Sequence, residues 1–194
     1  MSADPQSPRR TRQGTAEKLV RSAASEFNQH GFLGTDTNRI ARRAGFAPQT
    51  FYRWFDDKTE IFIKVYERWQ HEEASMLQRL LAKDASDTRL VQAVVTHHRR
   101  FRIFRRSLRQ MSIEDDMVRK ARAASRLNQI EQIRKWNPAQ PASTADLAVA
   151  LFKIERLADA LAEGEFDDMG IDRTAPETEL ALLLNWLRSA PKSR

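Results

Sequence analysis

A chain of 194 residues with 41% hydrophobic and 30% charged side chains has enough apolar material for a real core, which excludes global disorder. It contains no cysteine, which excludes a disulfide framework, a thiolate nucleophile and a cysteine-based zinc site. The net charge of +7 admits an anionic partner without proving one, because a merely basic surface gives the same number. The N-terminal stretch MSADPQSPRRTRQG lacks the apolar run of a signal peptide. No uncharged apolar run reaches the roughly 18 residues of a membrane span. The expectation is a soluble, cytoplasmic protein.

Taken in order, residues 1–11 read as a disordered tail, basic through Arg9 and Arg10 with Arg12 just beyond, which either stays free or orders along DNA phosphates. The spacing of Ala16, Leu19, Val20, Ala23 and Phe27 predicts a helix from Arg12 to His30, stopped by Gly31, with Glu17, Lys18, Arg21 and Glu26 on the opposite face. Thr35 is placed to cap a short helix over Asp36–Ala44, whose small apolar face is Ile40, Ala41 and Ala44. Gly45 follows where a helix closes in a left-handed residue, Phe46 anchors the turn, and Pro48 opens a second helix running to Phe55. Phe51 and Phe55 plug inward, leaving the amide, hydroxyl, phenol and guanidinium of Gln49, Thr50, Tyr52 and Arg53 pointing elsewhere. A short helix so equipped suits the width and the donors and acceptors of a DNA major groove.

Two short helices and a turn are common to many helical hairpins. With its flanks, however, this stretch resembles the DNA-binding segment of the tetracycline-repressor (TetR) family of bacterial regulators. The resemblance rests on Phe27–Gly31–Phe32, then Thr35, Ile40–Ala41, Ala44–Gly45, Thr50–Phe51–Tyr52, Phe55 and Lys58. The sequence departs from it at Ala47, where a capping Ser or Thr is usual, at Trp54, and at Asp56–Asp57. Loss of that cap is worth about 1 kcal/mol. The resemblance and side-chain chemistry together assign base reading to Gln49 and Arg53, with Asn38 a weaker base contact. They assign phosphate contacts to Thr37, Thr50, Tyr52, Trp54 and Lys58. Packing between helices is the alternative for Tyr52 and Trp54.

Beyond the hairpin, Asp57-Lys58-Thr59-Glu60 has the form of a capping box opening a helix to Leu81, with Ile61, Phe62, Val65, Tyr66, Trp69, Met76, Leu77 and Leu80 in period. A second long helix is expected over Asp87–Gln110, striped by Leu90, Val94, His97, Phe101, Phe104 and Leu108, with Met111 just beyond. Arg99, Arg100, Arg102, Arg105, Arg106 and Arg109 on it read mainly as a solvated face, although Arg102 and Arg105 are near enough to the stripe to meet an acidic ligand. A cap at Ser112–Asp115 starts a segment to Trp136 that turns Met117, Ala121, Ala124, Leu127, Ile130 and Ile133 inward. Asn137–Pro138 and Pro141 end it. Ser143 and Asp146 cap a helix to Glu163 closed by Gly164, and a last helix starts at Thr174.

No strand alternation, phosphate loop or catalytic motif is visible, and no second metal-ligating residue shares the face of His97. The expected fold is all-α: a three-helix helix-turn-helix DNA-binding domain over residues 12–57, then a helical effector-binding and dimerisation domain over 58–194. The resemblance implies a non-enzymatic regulator without cofactor or metal. It would be a homodimer on the palindromic operator of double-stranded DNA, released by a small apolar or aromatic effector. The effector pocket is expected from Trp69, Met76, His97, Phe101, Phe104, Met117 and Phe152. The dimer interface is expected from Leu147, Leu151, Ile154, Leu161, Leu180, Leu183, Leu184 and Leu187 on the two last helices, completion of the subunit's own core being the alternative. A nonspecific DNA-coating protein and a helical ligand-binding protein with vestigial DNA heads remain the alternatives.

Overall fold

The computed structural model describes residues 8–188, with side chains from Gly14 onward, and every regular element among them is a helix. In order these are α1 (Pro8–His30), α2 (Thr37–Arg43), α3 (Pro48–Phe51), α4 (Lys58–Leu81), α5 (Asp87–Arg100), α6 (Arg102–Glu114), α7 (Asp116–Trp136), α8 (Thr144–Glu163), α9 (Glu165–Asp168) and α10 (Thr174–Arg188). Most of the expected basic arm lies outside the described residues, and α1 already begins at Pro8. Among the described residues, no helix is long and apolar enough to cross a membrane.

The caps explain most boundaries. Asp57 accepts from Glu60 N–H at the head of α4, and Asp115 from Met117 and Val118 at the head of α7. Ser143 and Asp146 form a reciprocal capping box on α8, whose other end closes on Gly164 at φ +85°. One boundary differs from expectation. The helix predicted over Asp87–Gln110 breaks at Phe101 (φ −113°, ψ 21°) into α5 and α6. Asn28 on α1 donates to the Arg100 carbonyl at 2.6 Å and pins this corner. The break changes which faces are buried, so His98 and Arg105 go inside while His97 and Phe101 are only half-buried.

One apolar core runs through α1, α2, α3, α4 and α6 and so continues across the expected boundary at residues 57–58. Its centre is aromatic: Phe27 and Phe62 meet edge to face at 5.0 Å, Phe32 and Phe62 likewise at 5.0 Å, and Phe62 and Phe104 at 5.1 Å. Two further clusters hold the body together. Val91, Val94 and Val95 of α5 pack against Ala158, Leu161 and Leu180, while Ile130 and Ile133 of α7 pack against Leu147, Leu151 and Leu187.

These clusters correct the expected dimer interface. Leu147, Leu151, Leu161, Leu180 and Leu187 are buried inside their own subunit, with Ile154 and Leu184 packed partly against them. Both helices are apolar on more than one side, and the regular stripes are consumed by α5 and α7. The faces left outward carry Val149 and Phe152 on α8 and Leu182, half-buried Leu183 and Trp186 on α10. The inward face of α7 is corrected too. Met117, Ala124 and Leu127 are exposed, whereas Val118, Arg126, Ile130 and Ile133 are buried. The register is set by charge as well as by apolar contact, because Arg122 and Arg126 turn in to meet Glu155 on α8.

Candidate nucleic-acid interface

The tip of the molecule is built from the loop before α2 to the start of α4. Asp36, not Thr35, caps α2, its carboxylate accepting from Arg39 N–H at 2.8 Å. Thr35 is buried instead and donates its hydroxyl to Glu26 Oε2 at 2.8 Å. Glu26, expected on the solvent side of the first helix, is a buried hub. It also receives Arg43 Nη1 at 2.9 Å and faces Arg39 Nε at 3.4 Å, tying α1 to α2. Burial alone would raise its pKa; the bonds from Thr35 and Arg43 and the two guanidinium charges outweigh this and hold it below the usual carboxylate value.

Gly45 takes φ +80°, the left-handed conformation that glycine adopts without strain, and Phe46 packs partly against the core. Pro48 opens α3, and Ala47 before it makes no side-chain cap bond. The helix is shorter than expected, ending at Phe51. Residues 52–54 continue as a tight turn held by bonds such as Trp54 N–H to the Phe51 carbonyl at 2.9 Å. Phe51 and Phe55 are both buried, which fixes α3 against the core.

Gln49 and Arg53 stand exposed, and neither side chain has a hydrogen-bond partner among the described residues. Asn38 on α2 is likewise exposed, and Thr50 half-exposed. Tyr52 is exposed and its phenol meets the Thr37 hydroxyl at 2.9 Å, bridging α3 to α2. Two expected phosphate contacts are corrected. Trp54 is half-buried against the core, the packing alternative. Lys58 Nζ donates to the carbonyls of Phe32 at 2.8 Å and Thr35 at 2.9 Å and lies 4.3 Å from the Phe32 ring. Burial lowers its pKa, with the charge of Asp36 opposing. Lys58 is therefore a clamp between α4 and the loop before α2, and Asp57 caps the helix beside it.

The body contains an interior cavity between α4, α5, α7, α8 and α10. It consists of two adjoining spaces of about 120 and 80 Å³ that share Glu73, Leu77, Gln129, Leu151, Leu184 and Leu187. Of the expected lining residues only Trp69 reaches it. Met76 is half-buried elsewhere on α4. His97 stacks on Trp69 at 4.9 Å from outside the wall, Phe101 lies at the α5–α6 corner, and Phe104 is sealed in the aromatic core. Met117 and Phe152 are exposed, the latter under the guanidinium of Arg126 at 4.7 Å. For His97, Phe101 and Phe104 the break at Phe101 accounts for the difference, and for Met117 the charge-set register of α7.

The polar end of the cavity is an ion cluster that sequence reasoning missed. Arg105, 1% exposed, binds Asp159 through Nε at 3.1 Å and Nη2 at 3.0 Å, and Glu155 at 2.6 Å, with its guanidinium 4.5 Å over Trp69. Arg109 bridges Asp159 and Glu163 at 2.6 Å each, and Arg122 and Arg126 reach Glu155. His98 stands between Asp159, 2.7 Å from Nδ1, and Glu73, 3.0 Å from Nε2, an arrangement satisfied when both ring nitrogens carry protons. Burial opposes that charge, but the two carboxylates prevail and raise the pKa of His98. Burial likewise opposes charge on Glu155, and the surrounding arginines bring it down to about 2. Arg105 is thus spent internally, and Arg102 points to solvent, so neither is available to an acidic ligand in the cavity. The one signal in the sequence was the E-x3-D-x3-E spacing of Glu155, Asp159 and Glu163, which places three acids on one face of α8.

Among the described residues the chain is thus all helical, with a helix-turn-helix presented at one end and a cavity-bearing helical body behind it. Residues 19–65 match the model of the family described as bacterial regulatory proteins, tetR family. Over that segment the chain is similar to the family's DNA-binding domain, and its overall fold is the one seen in solved TetR-family regulators. It is 28% identical over 72 residues to an uncharacterized HTH-type transcriptional regulator, YdgC, of Bacillus subtilis strain 168; the match spans 37% of each chain. Solved structures with the same fold include a TetR-family transcriptional regulator from a Rhodococcus species, described as putative. Its TM-score is 0.69 at 14% identity, covering 91% of this chain and 100% of that one. FadR of Thermus thermophilus, a TetR-family repressor solved with lauroyl-CoA, gives 0.61 at 18% identity over 92% and 96%.

Proposed function

We propose that this protein is a sequence-specific DNA-binding transcriptional regulator that acts as a homodimer and is released from a palindromic operator by a small molecule. The observation that carries the reading is the state of Gln49 and Arg53. Gln49 sits on the short helix α3 and Arg53 on the turn that follows it, both held by buried Phe51 and Phe55, and neither side chain has a partner among the described residues. An amide in this position pairs with adenine and a guanidinium with guanine, while Asn38, Thr50 and Tyr52 beside them contact the backbone or neighbouring bases. Dimerisation uses the outward apolar faces of α8 and α10, at Val149, Leu182, Leu183 and Trp186. Two heads then lie about 34–36 Å apart on successive major grooves.

The effector occupies the interior cavity. The larger of its two spaces is walled largely by Leu77, Leu81, Leu90, Ile133, Leu151, Leu184 and Leu187, and the cations of the cavity are already paired with carboxylates, so an uncharged, largely apolar molecule fits it best. Such a molecule changes DNA affinity only by binding the two head positions with different strength. Selection of bound duplexes from random DNA tests the reading. Enrichment of one palindrome is expected. Strong binding without enrichment would identify a nonspecific coating protein, and no salt-dependent binding a ligand-binding protein with vestigial heads.

A further inference from the structure

A second cleft, of about 270 Å³, lies at the junction of head and body, walled by α1, α4 and the α5–α6 corner and separate from the interior cavity. Its charged wall is Arg21, Arg68 and Arg100 against a single carboxylate, Glu72. That carboxylate is 2.8 Å from Arg68 Nε, and Arg21 pairs only loosely with exposed Glu17 at 3.7 Å. Arg100 has no carboxylate partner among the described residues, only the ring of Phe101 at 5.4 Å. The cleft therefore carries two guanidinium charges in excess, in contrast to the neutralised ion cluster nearby.

Two residues that line it each carry a buried polar atom without a protein partner. Asn28 donates its amide N–H to the Arg100 carbonyl, which fixes the orientation of that side chain and leaves buried Oδ1 as an unused acceptor. Trp69, 3% exposed and standing between this cleft and the interior cavity, has a buried indole N–H with no acceptor. Buried polar atoms in native proteins are nearly always paired, so an unpaired acceptor and an unpaired donor in a cationic cleft describe the complement of a ligand.

We propose that this cleft binds a small organic anion in which a carboxylate sits beside a hydroxyl or ammonium donor. The carboxylate engages Arg100 with Arg21 or Arg68, the donor serves Asn28 Oδ1, and an oxygen accepts from Trp69 Nε1. Occupancy joins α1 to α4 and to the α5–α6 corner. It therefore favours the head position in which the cleft is closed, giving the protein a second input independent of the interior cavity.

L-malate and succinate, which differ by one hydroxyl, are the probes, and the indole N–H NMR signal of Trp69 in the full chain, assigned with Trp69→Phe, is the readout. Malate is expected to move this signal saturably and to bind about tenfold more tightly than succinate, the cost of leaving Asn28 unserved. Arg100→Gln, a change at an exposed side chain, is expected to weaken malate about tenfold while the other three tryptophan signals stay in place. A Trp69 signal that malate leaves unmoved, equal binding of both acids, or unchanged affinity in Arg100→Gln would each overturn the proposal.

Discussion

The head and the body of this molecule are stabilised by opposite chemistry. Behind the helix-turn-helix, Phe27, Phe32, Phe51, Phe55, Phe62 and Phe104 form a core of rings that contributes through buried area and is indifferent to pH. Some helical turns away, the body encloses Arg105, His98, Glu155 and Asp159, whose burial is tolerated only because each charge is matched. An apolar core holds the reading helix in one position. A matched ion cluster beside a cavity responds sharply to anything that alters one partner, which would suit the proposed effector site. α6 belongs to both, with Phe104 and Leu108 in the aromatic core and Arg105 and Arg109 in the ion cluster. Ser107 between them accepts from Phe32 N–H at 3.0 Å. α6 is thus a second connection from body to head, alongside the long α4.

The largest effect is expected from breaking the ion cluster on one side. Asp159→Ala leaves Arg105 and His98 buried without their main partner and should cost about 3–5 kcal/mol in denaturant unfolding. If the cost stays below about 1 kcal/mol, the cluster is more solvated than its geometry implies. Phe62→Ala, at the meeting point of Phe27, Phe32 and Phe104, should cost about 3–4 kcal/mol, and this loss should be the same at every pH where the protein folds.

Titration sharpens the contrast. Glu155, Asp159, Glu73 and Glu26 have lowered pKa values in the folded state, so their stabilisation is present above the unfolded carboxylate value near 4 and is lost as pH falls through the folded values. His98 has a raised pKa, so its contribution is full below about 6.5 and is lost as pH rises through the folded value. Melting temperature should accordingly fall on the acid side as these carboxylates protonate and on the alkaline side as His98 loses its proton, while His97, whose pKa burial lowers, adds stability as pH rises toward about 6.5. His98→Gln should flatten the alkaline limb and leave the acid limb in place.

Smaller effects belong to the tip. Lys58→Met, which strips two carbonyls of their donor, should cost about 1–2 kcal/mol. Ala47→Ser, which restores a missing cap on α3, should stabilise by about 1 kcal/mol, read as a rise in melting temperature.

What the sequence made legible follows the same division. The glycine at 45, the proline at 48 and the spacing of Phe51 and Phe55 encode local geometry, and they placed the turn and the buried rings correctly. The caps at Asp57 and Ser143 were legible for the same reason, whereas the cap expected at Ser112–Asp115 is displaced, Ser112 lying inside α6 and Asp115 itself capping α7. Thr35 and Lys58 were not, because their partners lie nine or more residues away and only the fold brings Glu26 or the Phe32 carbonyl to them. The body was harder to read. Arg105 and Arg126 count as solvated in any periodicity argument, yet both are buried by acids on α8, and they rotate α6 and α7 accordingly. The leucines of α8 and α10 were visible as stripes, but a stripe does not say whether it meets its own subunit or another.

The central claim is that Gln49 and Arg53 read bases from a tip held by its apolar core. The most direct measurement is the affinity of wild type and of the double variant Gln49→Ala/Arg53→Ala for a selected duplex and for a scrambled duplex of equal length and salt. The account predicts that the wild type's preference for the selected duplex falls by about a hundredfold or more in the variant, while binding to the scrambled duplex changes little. A preserved preference, or an equal loss on both duplexes, would contradict it.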